Sequence, residues 1–261
     1  MSLEVTNLSM VLSGSTILDG VSLRVGDGER VGLIGSSGSG KSMLARTVMG
    51  LQPISARLTG SILVDGLEVV GSDDASMADL RGSRMAMIFQ DPARALSPVA
   101  RVGRQVELPL KLHYRLTAQE RRRRALAMLD RVGLDPALAR AYPHQLSGGQ
   151  QQRVAIAAAL VTSPRLIVAD EPTTALDSIT QRQIVDLLVR LVDGAGSSLL
   201  FITHDFSVLA RAAVRSYILD GGRVVEAGRT DDILTAPASR QGRRLADAAR
   251  ELSLHGRGME S

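Results

Sequence analysis

Gly35-Ser36-Ser37-Gly38-Ser39-Gly40-Lys41-Ser42 fits the pattern G-x-x-x-x-G-K-[ST]. Its glycines let the backbone curl until successive N–H groups converge on an anion. A helix starting at Lys41 adds the positive end of its dipole to the same point. In such a loop Lys41 reaches the β- and γ-phosphates of ATP. Ser42 offers a hydroxyl to Mg²⁺, and Met43 belongs to the same nucleotide-binding turn. Only Lys41 and Lys111 among the 31 basic residues are lysine. A compact ammonium fits between phosphate oxygens where a planar guanidinium does not.

A second constellation is Leu166-Ile167-Val168-Ala169-Asp170-Glu171. An apolar strand delivers two carboxylates at its C-terminal end, the edge of an open α/β sheet where ligands bind. Asp170 suits Mg²⁺ through water, and Glu171 suits polarising an attacking water. A third is Leu146-Ser147-Gly148-Gly149-Gln150, where a serine and two glycines open a helix. That arrangement predicts a second anion cradle, about 100 residues beyond the first.

The elements that must position these residues follow from periodicity. Strands are expected over Leu3 to Leu12, Val21 to Val25 and Arg30 to Ile34, and a helix from Lys41 to about Leu51. A hairpin is expected around Asp65-Gly66, and a buried strand at Met85 to Phe89. From Pro92 to Thr162 the pattern is helical only, with a capping box at Thr117-Ala118-Gln119-Glu120. The α/β pattern returns at Arg165, with strands over Leu166 to Ala169 and Ser198 to Thr203. Helices are expected over Asp177 to Val192 and Asp205 to Ala213, and a hairpin around Gly221-Gly222. The expected organisation is one α/β domain. Its core takes residues 1–91 and 163–230, an all-helical insert takes 92–162, and a helical tail takes 231–261.

Composition narrows the function classes. The chain has 261 residues, 44% apolar and 22% charged, with a net charge of +4. That suits a globular domain with a sizeable core. Cysteine is absent, which removes disulfides, thiol catalysis and thiolate metal sites. Aromatics are 2% of residues, too few for a base-stacking nucleic-acid surface. Arg121 to Arg124 read as a solvated helix face. No apolar run approaches the ~18–20 residues of a membrane span, and the N-terminus lacks signal-peptide character. A cytoplasmic chain is expected, tied to the inner membrane only through partners. His113, His144 and His255 read as structural.

The order of phosphate loop, Gln90, Leu-Ser-Gly-Gly-Gln, strand with Asp-Glu, Ala175-Leu176-Asp177 and His204 resembles the ABC ATPase family over nearly the whole chain. The resemblance implies a P-loop NTPase core of RecA-like type. An N-terminal antiparallel β-subdomain and an inserted helical subdomain complete it. It implies that Ser147, Gly148, Gly149 and Gln150 cap the γ-phosphate held by a partner ATPase subunit, in a homo- or heterodimer. It further implies that Gln90 senses Mg²⁺ and water, that Asp177 crosses the dimer interface, and that His204 contacts the γ-phosphate beside Glu171. One departure stands out. The family usually stacks an aromatic ring on adenine some 20–25 residues before the phosphate loop. Here that stretch offers only Val11 and Leu12.

Phe89-Gln90-Asp91-Pro92 with Ala95-Leu96-Ser97-Pro98, and Tyr142-Pro143-His144-Gln145, resemble the ATPases of dipeptide, oligopeptide and nickel importers. That likeness implies two integral-membrane permease subunits, an extracytoplasmic binding protein, and peptides or nickel and metal chelates as cargo. Two alternatives are an ATPase of a phosphonate-degrading assembly and a soluble ABC ATPase outside transport. The gap between phosphate loop and signature is too short for the long coiled coils of DNA-repair members, and it has no heptads.

Overall fold

The computed structural model describes residues 1–174 and 176–247; Ala175 and the tail beyond 247, with His255, lie outside the described residues. Along the chain run β1 (Leu3–Leu12), β2 (Ser15–Val25), β3 (Arg30–Ile34), α1 (Lys41–Val48), β4 (Arg57–Val64), β5 (Leu67–Glu68) and α2 (Asp74–Leu80). Next come β6 (Met85–Ile88), α3 (Pro92–Ala95), α4 (Val102–His113), α5 (Ala118–Arg131), α6 (Gly148–Leu160) and β7 (Leu166–Asp170). The chain continues through α7 (Ser178–Ala195), β8 (Ser198–Thr203), α8 (Phe206–Ala212), β9 (Arg215–Asp220), β10 (Arg223–Arg229) and α9 (Thr230–Thr235). Residues 240–247 are again helical. The chain divides into two compact units, Met1–Gly71 with Leu199 onward, and Ser72–Ser198.

In the first unit β2, β1, β4 and β5 form an antiparallel sheet in that order. Ser13 and Gly14 join β1 to β2 with φ of 50° and 81°. Two positive values give the turn whose twist matches the strands. Strands β10, β9, β3 and β8 lie side by side, with β3 parallel to both of its neighbours. Val31, Leu33 and Ile34 of β3 are fully buried, the continuous apolar run of a parallel strand covered on both faces. Gly32 is required there: a Cβ would lie 2.3 Å from Leu209 Cδ1 on α8 and 2.6 Å from the Ser216 hydroxyl. Ile34, Phe206, Leu209, Ala213, Ile218 and Ile233 form the cluster under α8 and α9. Glu226 accepts hydrogen bonds from the N–H groups of Ala238 and Ser239, at 2.8 and 2.9 Å, and so anchors the start of the 240–247 helix.

In the second unit β6 pairs parallel with β7. Helices α3, α4 and α5 pack against α6. Val106 and Leu110 of α4, Met128 and Leu129 of α5, and Val154, Ile156 and Leu160 of α6 are buried in this unit. Helix α2 lies in a stretch for which the sequence pattern set no expectation; it is capped by Asp73, which accepts from the Ser76 N–H, and buries only Met77 and Leu80. The capping box at Thr117 is half formed. Thr117 Oγ1 accepts from the Glu120 N–H at 3.2 Å, while the Glu120 carboxylate turns to Arg123 and Arg124 at 2.8 Å. Hydrogen bonds from those two guanidinium groups hold the Glu120 carboxyl down at about 2.

The first unit carries a paired charge with a pH signature. Arg215 grips Glu29 with two hydrogen bonds, at 2.8 and 3.0 Å, and donates to Arg24 O at 2.9 Å. The Arg215 hydrogen bonds hold the Glu29 carboxyl below its ordinary 4.5, overcoming the opposing effect of burial, and the Gly26 N–H adds to them. Such a group stabilises the fold fully above its unfolded value and loses that contribution as pH falls through the lower folded value. Glu29→Gln should therefore melt below the parent at neutral pH. The gap should begin to narrow as the pH drops below 4.5 and close as it falls through the lower folded value, as thermal melts from neutral to acid pH would show.

Candidate functional site

In the first unit the phosphate loop joins β3 to α1. Gly38 and Gly40 have φ of 78° and 105°, left-handed values that L side chains resist. A Cβ on Gly35 would lie 2.2 Å from Leu219 O, and one on Gly40 would lie 2.9 Å from Leu18 Cδ2. Gly40 is also the N-cap of α1 and provides no side-chain acceptor for the first turn. Lys41 is 5% exposed, and its Nζ donates to the carbonyls of Gly35 and Ser36, both at 2.8 Å. The Ser39 hydroxyl is buried and has no hydrogen-bond partner among the described residues. Loop, ammonium and unsatisfied hydroxyl together fit a polyphosphate, with Ser42 and Met43 on the opening turn of α1.

His204 follows the last residue of β8 and is exposed. Its neighbour Asp205 caps α8 through the Ser207 N–H at 2.8 Å. Leu12 ends β1 opposite Ser15, and Val11 beside it is 37% exposed. The aromatic residues of this unit are Phe201, Phe206 and Tyr217, and all three are buried. No ring is offered to a nucleotide base there.

The second unit carries the carboxylates. Leu166 to Ala169 of β7 are fully buried and Asp170 is 5% exposed, so the strand drives both acids to its end. Glu171 has φ 47°, a left-handed backbone in a non-glycine residue. Such strain, of order 1–3 kcal/mol, persists where the surroundings over-determine it. Gln90 lies two residues past β6, and its Nε2 donates to Glu171 Oε2 at 3.4 Å. The structure thus brings together two residues 81 apart in sequence. Thr174 is an additional contact that sequence reasoning did not single out. Its hydroxyl donates to the same Oε2 at 3.0 Å. The only signal for it was a hydroxyl three residues past an acid.

Ser147 caps α6 in a reciprocal box: its Oγ accepts from the Gln150 N–H at 3.3 Å, and its N–H donates to Gln150 Oε1 at 2.9 Å. Gln151 donates to the carbonyls of Pro143 and Leu146, at 2.9 and 3.2 Å, and steadies the approach to the cap. A Cβ on Gly149 would press on Thr180 Cγ2 at 3.0 Å, whereas one on Gly148 would meet only Leu176 Cδ2 at 3.9 Å. Asp177 is the N-cap of α7, with Oδ1 accepting from Ile179 and Thr180 N–H at 3.1 and 3.0 Å. Chiefly the Thr180 N–H bond holds its carboxyl below the usual range. Among the described residues no group of three or more His, Cys, Asp or Glu could hold a metal ion by itself. Mg²⁺ commonly binds through one or two carboxylates plus substrate phosphates, and in the second unit Asp170 is the carboxylate at the end of β7 suited to that mode.

The sequence pattern of the ABC transporter family matches residues 18–174, more than half of the chain. The chain belongs to the ABC transporter family. The oligopeptide transport ATP-binding protein OppD of Mycobacterium tuberculosis is 43% identical over 238 residues, covering 88% of this chain but 39% of OppD. This ABC chain therefore spans well under half the length of that relative. A putative peptide import ATP-binding protein of Brucella abortus is 41% identical over 242 residues, covering 90% of this chain and 73% of the relative. The ATP-binding cassette MJ0796, a dimer in a post-hydrolysis state bound to ADP and Pi, superposes with a TM-score of 0.78 at 36% identity. The match covers 87% of this chain and 98% of MJ0796. The likeness extends the expected α/β ABC fold to the whole cassette.

Base stacking is worth ~1–3 kcal/mol, and this ABC chain has no ring near Leu12 to supply it. ATP and GTP should bind with dissociation constants within about tenfold of each other, measurable by competition against a fluorescent nucleotide.

Proposed function

We propose that the chain hydrolyses ATP as a subunit of a peptide importer and turns over as a head-to-tail dimer with a second ATPase subunit. The observation that carries the reading is the pair of phosphate cradles on separate units, the Gly35–Ser42 loop before α1 and the Ser147 cap of α6. One nucleotide needs one phosphate loop; a second cradle of the same chemistry suits a γ-phosphate held by the partner. The space around Gly148 supports this, because the chain's own packing does not demand a glycine there.

In this reading Lys41 and the loop N–H groups bind the β- and γ-phosphates. Ser42, Gln90 and Asp170 hold Mg²⁺, which supplies charge neutralisation at the phosphate oxygens. Glu171 takes a proton from the water whose oxygen attacks the γ-phosphorus, and ADP leaves. Gln90 aligns the Glu171 carboxylate, His204 steadies the γ-phosphate, and Asp177 meets the partner subunit. Residues 92–162, as the helical part, receive a short cytoplasmic helix from each of two permease subunits beside Gln90. An extracytoplasmic binding protein delivers cargo. The peptide cargo rests on the relatives named for oligopeptide and peptide import. The same reading puts the chain on the cytoplasmic face of the inner membrane; no described helix is long and apolar enough to cross it.

Glu171→Gln should bind ATP with parental affinity and elute as a dimer in ATP on size-exclusion chromatography, while turnover falls at least about a hundredfold. A variant that still hydrolyses ATP at the parental rate removes Glu171 as the base. Lys41→Ala should lose nucleotide binding altogether, and Gly148→Ala should keep the parental melting temperature but lose turnover. Co-purification with two polytopic membrane proteins, and loss of peptide uptake in a deletion strain, test the transport role.

A further inference from the structure

We propose that Thr174 is a positioning residue for ATP hydrolysis, its hydroxyl fixing the direction of the Glu171 carboxylate. The inference rests on the reading of Glu171 as the base. Three observations meet at this turn. Thr174 Oγ1 donates to Glu171 Oε2 at 3.0 Å, and it lies 3.3 Å from the Glu171 carbonyl oxygen. The Thr174 N–H also donates to that carbonyl, at 3.4 Å. The residue thus closes a compact ring onto both the backbone and the side chain of Glu171. Gln90 brings its amide to the same Oε2 from the end of β6, at 3.4 Å.

The left-handed backbone of Glu171 makes this grip matter. At φ 47° the Cβ leaves the chain in a direction that the preceding strand does not set. The carboxylate then sits at the end of a flexible side chain, and its aim depends on what holds it. Two donors from independent segments converge on Oε2, and each narrows the arc through which that oxygen can swing. Misplacement of a reacting group by about 1 Å costs as much as a hundredfold in rate, so even a partial loss of aim is measurable. Thr174 itself is exposed, so it is not held for packing. The turn around it has its own supports. Gln181 Nε2 donates to Thr173 Oγ1 at 3.3 Å, and Leu176 N–H donates to Thr173 O at 3.1 Å. Removing the Thr174 hydroxyl therefore disturbs the carboxylate before it disturbs the fold.

The test compares Thr174→Val, Thr174→Ser and Glu171→Gln in steady-state ATPase assays on the full chain, with nucleotide affinity and melting temperature measured in parallel. Thr174→Val should lower kcat about 10- to 150-fold, the range expected for a hydrogen bond to a charged group. Its KM for ATP and its nucleotide affinity should stay within about twofold of the parent. Thr174→Ser, which keeps the hydroxyl, should recover kcat to within about threefold. Parental turnover in Thr174→Val, equal losses in both variants, or a loss confined to KM would overturn the proposal. If Glu171→Gln is inactive while Thr174→Val runs at the parental rate, only the proposal falls. If Glu171→Gln keeps the parental rate, the reading of Glu171 as the base falls and takes the proposal with it.

Discussion

A nucleoside triphosphate brings several negative charges into a small volume, and a phosphate loop that holds a single lysine must answer most of them with backbone. That requirement governs the geometry around residue 40. The N–H groups at the start of α1 act as fixed donors only if the preceding loop curls tightly, which the positive φ values at Gly38 and Gly40 provide. The curl in turn needs β3 to end beneath it and α8 to press closely on β3. Gly32 and the buried cluster of Ile34, Phe206, Leu209 and Ile218 supply that support. The single buried ammonium then contributes a point charge where the dipoles alone fall short.

The second unit solves the same problem at α6 with a different device. There a serine, not a glycine, occupies the N-cap, and Gln150 answers it from the third position of the helix. The cap is self-sufficient, so the loop before α6 holds its shape by its own hydrogen bonds and by those of Gln151. The acids at the end of β7 need the opposite treatment. A buried strand can carry a carboxylate to its edge but cannot aim it, because strand geometry ends at Asp170. Aim comes from the turn that follows and from Gln90, two residues past the neighbouring β6.

Much of this was legible in the sequence. The phosphate loop, the acidic strand end and the serine–glycine helix start each depend on residue type at fixed spacing, and each stands on the element expected for it. Strand β8 also runs over the expected residues, because an apolar run of that length suits a buried strand and is too short for a buried helix. Helix α2 was missed because seven residues with two buried side chains carry almost no periodic signal. The capping box at Thr117 came out half formed because two arginines one turn along compete for Glu120, a contest the motif alone does not reveal. The grip of Thr174 on Glu171 was out of reach for a different reason. It depends on a backbone angle that glutamate rarely adopts, and nothing in the residue types announces it.

That backbone angle has a consequence for sequence drift. At position 171 conformation and the proposed chemistry favour different residues: the left-handed region is easiest for glycine, asparagine and aspartate, while the proposed role as base calls for the carboxylate and reach of glutamate. A gene released from selection for turnover, but still selected to fold and to bind nucleotide, would relax first at this codon. Inert paralogues that keep Lys41 and the phosphate loop would then be recognisable by a short or absent side chain here, with the scaffold around it unaltered.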